Sequence, residues 1–234
     1  MIRAIAVSAV LLATLSVRAD DDFKPLFNGK DLTGWKQYMP DEKVKPEEVW
    51  SIKDGVIICA GNKKPAGYVI TEKEYANYVL KLQWRFPVDS KGGNSGVLLH
   101  VQQPDKVWPK SVEAQLQSGQ AGDFWLIDAK LEIPKERNNP NSARNFIRIG
   151  EVWDKSDKKT KEGKDVFAAK RKNFEKPFGE WNQYEIHCDG NNIKLMVNGQ
   201  LVNEGKNGEL SKGRILLQAE GADIHFRNIE IKQK

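Results

Sequence analysis

The chain is predicted to be all-β, an antiparallel β-sandwich built as a jelly roll. Three observations predict it. Short segments with strict two-residue alternation recur along the chain, Gly, Asn and Asp turns separate them, and long amphipathic helical patterns are missing. Residues 50–52 and 56–59 flank Lys53-Asp54-Gly55, a hairpin signal. Residues 78–86 set Tyr78, Leu80, Leu82, Trp84 and Phe86 against Val79, Lys81, Gln83 and Arg85, because side chains on a strand change face at every residue. Residues 87–93 then turn the chain into a strand at 95–101. Further strands are expected at 184–188, 193–197, 201–203, 214–219 and 224–232, each bounded by turn residues. Residues 133–142, rich in Pro and Asn, are expected to form a long surface loop.

No internal repeat or linker divides the chain, so residues 20–234 are expected to form one domain. Residues 1–19 have the pattern of a cleaved signal peptide: a basic start, an apolar run too short to span a bilayer, and a small-x-small site at Val17-Arg18-Ala19. An exported protein, periplasmic or extracellular and without stable membrane insertion after cleavage, is the expectation. Processing removes Arg3 and Arg18 and lowers the net charge from +5 to +3, which implies no particular partner. The lysine-rich residues 154–176 interleave their cations with Asp157, Glu162, Asp165 and Glu175. They are expected to form a solvated insertion, with a short helix around 166–172, rather than a nucleic-acid stripe. Cys59 and Cys188 fit either one disulfide or two separate buried thiols. His100, His187 and His225 are far apart and make no metal-type spacing.

Residues 111–125, SVEAQLQSGQAGDFW, carry the chemistry. Val112, Ala114 and Leu116 share one face, and Glu113, Gln115 and Gln117 the other. A carboxylate and two amides in line suit a polyhydroxylated ligand, or a solvated outer face; the alternation fits both. Asn94 and Ser95 follow Gly92-Gly93, where backbone can approach a ligand closely. Gln218 and Glu220 share a face of the penultimate strand. Trp108, Trp125 and Trp181 are candidates to stack on a pyranose ring, whereas Trp35, Trp50 and Trp84 sit in core-like patterns.

Six segments in order, FNGKDLTGW, GNSGVLLH, VEAQL, GEWN, IKLMVNG and LQAEGADIHFRNIEI, make residues 23–232 resemble the bacterial 3-keto-disaccharide hydrolase domain family. The resemblance implies a concanavalin A-like lectin/glucanase fold whose concave sheet binds an oligosaccharide or glycoside. It also implies action on glycosides already oxidised at C3. A conventional glycosidase needs two carboxyls flanking the bond, and Gln115 and Gln117 deny Glu113 a partner on its own strand. A 3-keto sugar asks for less, since the ketone acidifies the neighbouring C2–H. Elimination and then hydration give net hydrolysis with one base and one proton carrier. Under this implication Glu113 is the candidate base. His100 is a proton carrier or metal ligand if its face is the concave one, Glu220 a second carboxyl, and Arg85 a stabiliser of the enolate. No cofactor is certain. A divalent metal stays open, requiring the fold to unite His100, Glu113 and Glu220. The competing reading is a non-catalytic carbohydrate-binding sandwich.

Overall fold

The computed structural model describes residues 22–142 and 146–234; the expected signal segment lies outside the described residues. Its strands are β1 (Lys24–Pro25), β2 (Trp35–Tyr38), β3 (Trp50–Lys53), β4 (Val56–Ala60), β5 (Gly67–Thr71), β6 (Tyr78–Arg85), β7 (Gly96–Val101) and β8 (Ser111–Gln115). They continue with β9 (Phe124–Ile127), β10 (Val152–Lys159), β11 (Asp165–Lys170), β12 (Asn182–Asp189), β13 (Asn192–Val197), β14 (Gln200–Gly205), β15 (Arg214–Ala219) and β16 (Asp223–Gln233). Fourteen of these sixteen strands, counted over the described residues, form the predicted antiparallel sandwich. One sheet runs β14-β13-β12-β6-β16-β4-β3, with β1 on β16; the facing sheet runs β2-β5-β15-β7-β8-β9.

Alternation dictates what lies between the sheets. Leu80, Leu82 and Trp84 of β6, with Tyr184 and Ile186 of β12, meet Val97 and Leu99 of β7, Val112 and Ala114 of β8, and Ile215 and Leu217 of β15. All of them are fully buried or nearly so. Each such side chain contributes about 1.5–3 kcal/mol by leaving water. The residues between them in β7, β8 and β15 must then face outward, which sends Glu113 and Gln115 to the outer side of the six-stranded sheet.

The lysine-rich insertion departs from its expectation. Where a short helix was expected around 166–172, the chain continues as β11, which pairs with β10 in a separate two-stranded hairpin. Val166 and Phe167, β-branched and aromatic, suit a strand better than a helix. Nor is the hairpin's base merely solvated. Arg148 is buried, its Nε donating to Glu151 at 2.8 Å and its Nη2 to the Lys172 carbonyl at 2.7 Å. Arg171 forks onto both oxygens of Asp123, just before β9, and reaches Glu151 at 2.9 Å. Burial still pushes Asp123 up to about 6, with Arg171 opposing the rise. The 133–142 loop is likewise pinned: its single 3-10 turn, Lys135–Arg137, buries Arg137, which donates to the Asn203 side chain and the Glu204 carbonyl.

Cys59 and Cys188 are free thiols. They sit on β4 and β12, which β6 and β16 separate within one sheet. Three strand spacings, about 14 Å, exceed the reach of a disulfide. Burial pushes both thiols up, Cys188 to about 12.

Arg148→Met should leave the fully buried Glu151 short of its main partner and cost about 3 kcal/mol in urea unfolding. A change below 1 kcal/mol, within the range of an exposed pair, would show that this junction holds nothing together.

Candidate active site

The site is built on one row across the outer face of the six-stranded sheet. Leu216 of β15 lies opposite Leu98 of β7, Leu98 opposite Glu113 of β8, and Glu113 opposite Trp125 of β9. One step along the strands, Gly96 lies opposite Gln115. Glu220, just beyond β15, bridges to Asn94, whose side-chain amide donates to the Glu220 carboxylate. Of these, Asn94, Glu113, Gln115, Trp125 and Glu220 line a cleft of about 770 Å³, the size of a small-ligand site. Asn94, Gln115, Gln117, Gln218 and Glu220 form one end, Val107, Trp108 and Ile127 the other, and Glu113 and Trp125 stand between.

Gly96 makes room for Glu113. A Cβ at position 96 would lie 2.9 Å from Glu113 Cδ and 3.0 Å from its Cγ, so the carboxyl side chain rests on the bare backbone of the neighbouring strand. In that position Glu113 is 3 % exposed and its Oε1 has no hydrogen-bond partner. Burial first, and the nearby Glu220 carboxylate second, hold its pKa well above the usual carboxylate range. Glu220 is less enclosed, and burial pushes it up to about 7. Two carboxyls of raised proton affinity, one enclosed and the other partly open to water, thus share one cleft. Gln218 Oε1 and Asn94 Oδ1 are also buried without partners, so this end is rich in acceptors awaiting donors. The oxygen of Gln115 accepts from the backbone N–H groups of Leu116 and Gln117, both at 2.9 Å, which leaves its amide nitrogen as the group offered to a ligand.

The far wall is a closed loop, residues 102–110. Its neck is a backbone bond from Gln102 N–H to the Lys110 carbonyl at 3.0 Å, and Gln102 Nε2 also donates to the carbonyls of His100 and Lys212. Asp105 is tied to Arg214 of β15 at 2.6 Å, with the arginine buried. That tether fastens the loop to the sheet's outer face, where Tyr68, Ile70, Leu98, Val101 and Leu216 form a small second core. Lys106 pairs with Asp128, beyond β9, at 3.1 Å.

Four sequence candidates lie elsewhere. His100 does not reach the cleft, because β7 carries a bulge: Arg214 faces Val101 while Leu216 faces Leu98, so β7 holds one extra residue. His100 takes the left-handed conformation (φ 52°), and its buried ring turns to the Leu210 carbonyl at 3.2 Å and to Tyr78. Parity counted along the sequence fails at such a point. Ser95 has the core-facing parity of Val97 and Leu99; its hydroxyl donates to the Gln218 carbonyl at 2.8 Å and holds β7 to β15. Arg85 and Trp181 belong to the eight-stranded sheet, on the face opposite Trp84. There the Arg85 guanidinium lies 4.5 Å and that of Arg227 4.0 Å from the Trp181 ring, with the whole sandwich between them and Glu113. With His100 withdrawn, the proposed His100, Glu113 and Glu220 ligand set does not assemble, and among the described residues no three His, Cys, Asp or Glu side chains gather to hold a metal. Conversely, sequence reasoning missed Lys106, Val107, Ile127 and Asp128. A loop without periodicity carries no sign of the face over which it folds. The role of Gly96 was visible as a glycine inside a strand pattern, a mark of close approach.

Residues 22–232 match the model of the 3-keto-alpha-glucoside-1,2-lyase-like domain. The chain belongs to this family. A 3-keto-disaccharide hydrolase of Bacteroides thetaiotaomicron is 24% identical to it over 248 residues, which cover 91% of this chain and 78% of that protein. Among solved structures, a candidate glycosyl hydrolase from Parabacteroides distasonis aligns with TM-score 0.56 at 27% identity, covering 91% of this chain and 99% of the other. A carbohydrate-binding module from Bacillus subtilis shares the fold with TM-score 0.55 at 11% identity, over 87% and 98% of the two chains.

Two outcomes test the geometry directly. Gly96→Ala should cost about 1–3 kcal/mol by crowding Glu113, and most of the loss should return when Glu113→Ala is added; additive losses would mean that the two do not touch. Glu113→Gln should raise Tm above neutral pH. The folded carboxyl holds its proton to higher pH than the unfolded one, which ionises above about pH 4.5, so the wild type loses more stability than the variant as pH rises. The gain should vanish below that pH, and equal melting curves at pH 8 would show Glu113 to be hydrated.

Proposed function

We propose that this protein is an exported enzyme that cleaves 3-keto-glycosides, 3-keto-disaccharides among them, by elimination followed by hydration. The observation that carries this reading is the pair of carboxyls in one cleft, unequally enclosed and both raised in proton affinity by burial. Family membership and the hydrolase named among its relatives support the substrate class. The leader-like residues 1–19 support export.

The unequal enclosure of the two carboxyls assigns the roles, with Glu113 moving from candidate base to acid. Glu220, less enclosed and pushed up to about 7, serves as the base for C2–H at the polar end. Glu113, the more deeply enclosed of the two and midway along the cleft, donates to the glycosidic oxygen on C1. The electron pair from C2–H forms the enolate, whose oxygen accepts from the Gln115 amide. It then returns to make the C1–C2 double bond as the C1–O bond breaks and the leaving oxygen takes the proton of Glu113. Water next adds to C1 and gives a proton to the Glu113 carboxylate, and Glu220 returns its proton to C2. One water is consumed, and both carboxyls regain their starting states.

Purified protein should cleave a 3-keto-disaccharide and leave its unoxidised parent intact. Glu220→Gln and Glu113→Gln should each lose about a hundredfold or more in kcat, with Glu220→Gln also abolishing exchange of the C2 proton with solvent deuterium. Retained binding with no turnover of either sugar would favour the carbohydrate-binding reading. Turnover undiminished in both variants would remove the carboxyl pair from the chemistry.

A further inference from the structure

The cleft is chemically divided along the strand direction, and the proposed reaction uses only part of it. β8 and β15 run parallel to each other, both antiparallel to β7. The end beyond Gln115 and Gln218 collects Asn94, Gln117 and Glu220. The end toward Ser111 and Arg214 is walled by Val107, Trp108 and Ile127, the last lying opposite Ser111. Trp125 faces Glu113 at the divide. Val107, Trp108, Trp125 and Ile127 are each only half-buried, and neither tryptophan belongs to a core cluster. Their faces are surfaces that a ligand can cover. The charged side chains lining this end, Lys106 and Asp128, are already paired with each other.

We infer that this end is the leaving-group subsite, and that it selects glycosides whose aglycone is apolar, aryl or cycloalkyl, over those whose leaving group is a second sugar. The inference rests on the reading of the cleft as a site for glycoside cleavage. Glu113 stands where the bond breaks, so a substrate with its oxidised ring among the acceptors of Asn94, Gln218 and Glu220 must place its aglycone against Trp108 and Val107. A second pyranose there would set several hydroxyls against this apolar wall, with Lys106 and Asp128 only at its exposed rim. An unpaired buried hydroxyl costs more than its ring gains by stacking. An apolar aglycone has no such cost and covers two indoles and two aliphatic side chains. The Asp105–Arg214 tether holds Trp108 and Val107 at this wall, since it fastens the loop that carries them.

The test compares 3-keto cyclohexylmethyl glucoside with a 3-keto-disaccharide. Both leave as alcohols, and the sugar is the more acidic of the two, so a preference for the cyclohexylmethyl substrate cannot come from leaving-group acidity. The wild type should favour the cyclohexylmethyl substrate about tenfold in kcat/KM. Trp108→Ala should bring the two substrates to near parity, mainly by slowing the apolar one, and Trp108→Phe should keep the preference. Equal or better use of the disaccharide by the wild type, or a preference that survives Trp108→Ala, overturns the inference. Calorimetric binding of the unoxidised cyclohexylmethyl glucoside and disaccharide separates this result from the activity. Tighter binding of the first, lost in Trp108→Ala, sustains the subsite even if neither keto sugar turns over, an outcome that would instead sink the elimination reading. Tighter binding of the disaccharide overturns the subsite whether or not turnover is seen.

Discussion

The site depends on a carboxyl group placed where water does not reach it. Glu113 lies on the outer face of a sheet, a face that is ordinarily wet, yet it is almost as inaccessible as the core. Two features bring this about. The bare backbone of Gly96 lets the side chain lie flat in the sheet surface, and the closed loop at 102–110 walls the cleft in which it sits. A carboxylate held this way is expensive to ionise, which sets it apart from the less enclosed Glu220. Without the enclosure the two would be ordinary surface acids, both ionised and neither able to deliver a proton at neutral pH.

The bulge in β7 and the loop that follows it belong to the same construction. Taking His100 into the left-handed region buries its ring beneath the sheet and places Val101 on the outer face, in the small apolar cluster with Leu98 and Leu216. The bulge therefore ends the strict alternation where the strand must leave the sheet for the loop. Gln102 then bonds back to the carbonyls of His100 and Lys212, and Asp105 to Arg214. A buried arginine with a partner on the loop makes detachment costly, because release would leave its charge without compensation.

Most of the sandwich was legible because its strands obey a two-residue period. The segments 78–86, 193–197 and 214–219 alternate so plainly that their inward faces follow from counting, and the same count brings Glu113, Gln115 and Gln218 to one outer face. Counting failed where the backbone breaks period or where sheet membership decides. His100 was lost to the bulge. Arg85 and Trp181 were lost because parity tells which face a residue occupies and not which of two sheets it belongs to. Ser95 was lost to its neighbouring glycines, which suggested a ligand where the structure has a hydroxyl closing β7 onto β15. The strand at 165–170 was hidden among lysines, whose composition describes solvation more than conformation.

What the sequence could not convey is distance between strands far apart in the chain. Glu113 and Glu220 are separated by more than a hundred residues, and only the order β15-β7-β8 brings them to one cleft. That order also explains why Gln115 and Gln117 need not be carboxylates. A single-strand arrangement must place both titrating groups two residues apart, in nearly identical surroundings, and then separate their proton affinities by mutual repulsion alone. Drawing the second carboxyl from the end of another strand lets burial do the separating, because the middle of the sheet and its margin differ in access to water. The amides on β8 are then released to hold a ligand, with Gln115 turned by the backbone N–H groups of Leu116 and Gln117 to present a donor among acceptors. Within this cleft, therefore, the polarity of each residue follows from its depth in the sheet and from which hydrogen bonds the backbone has already claimed.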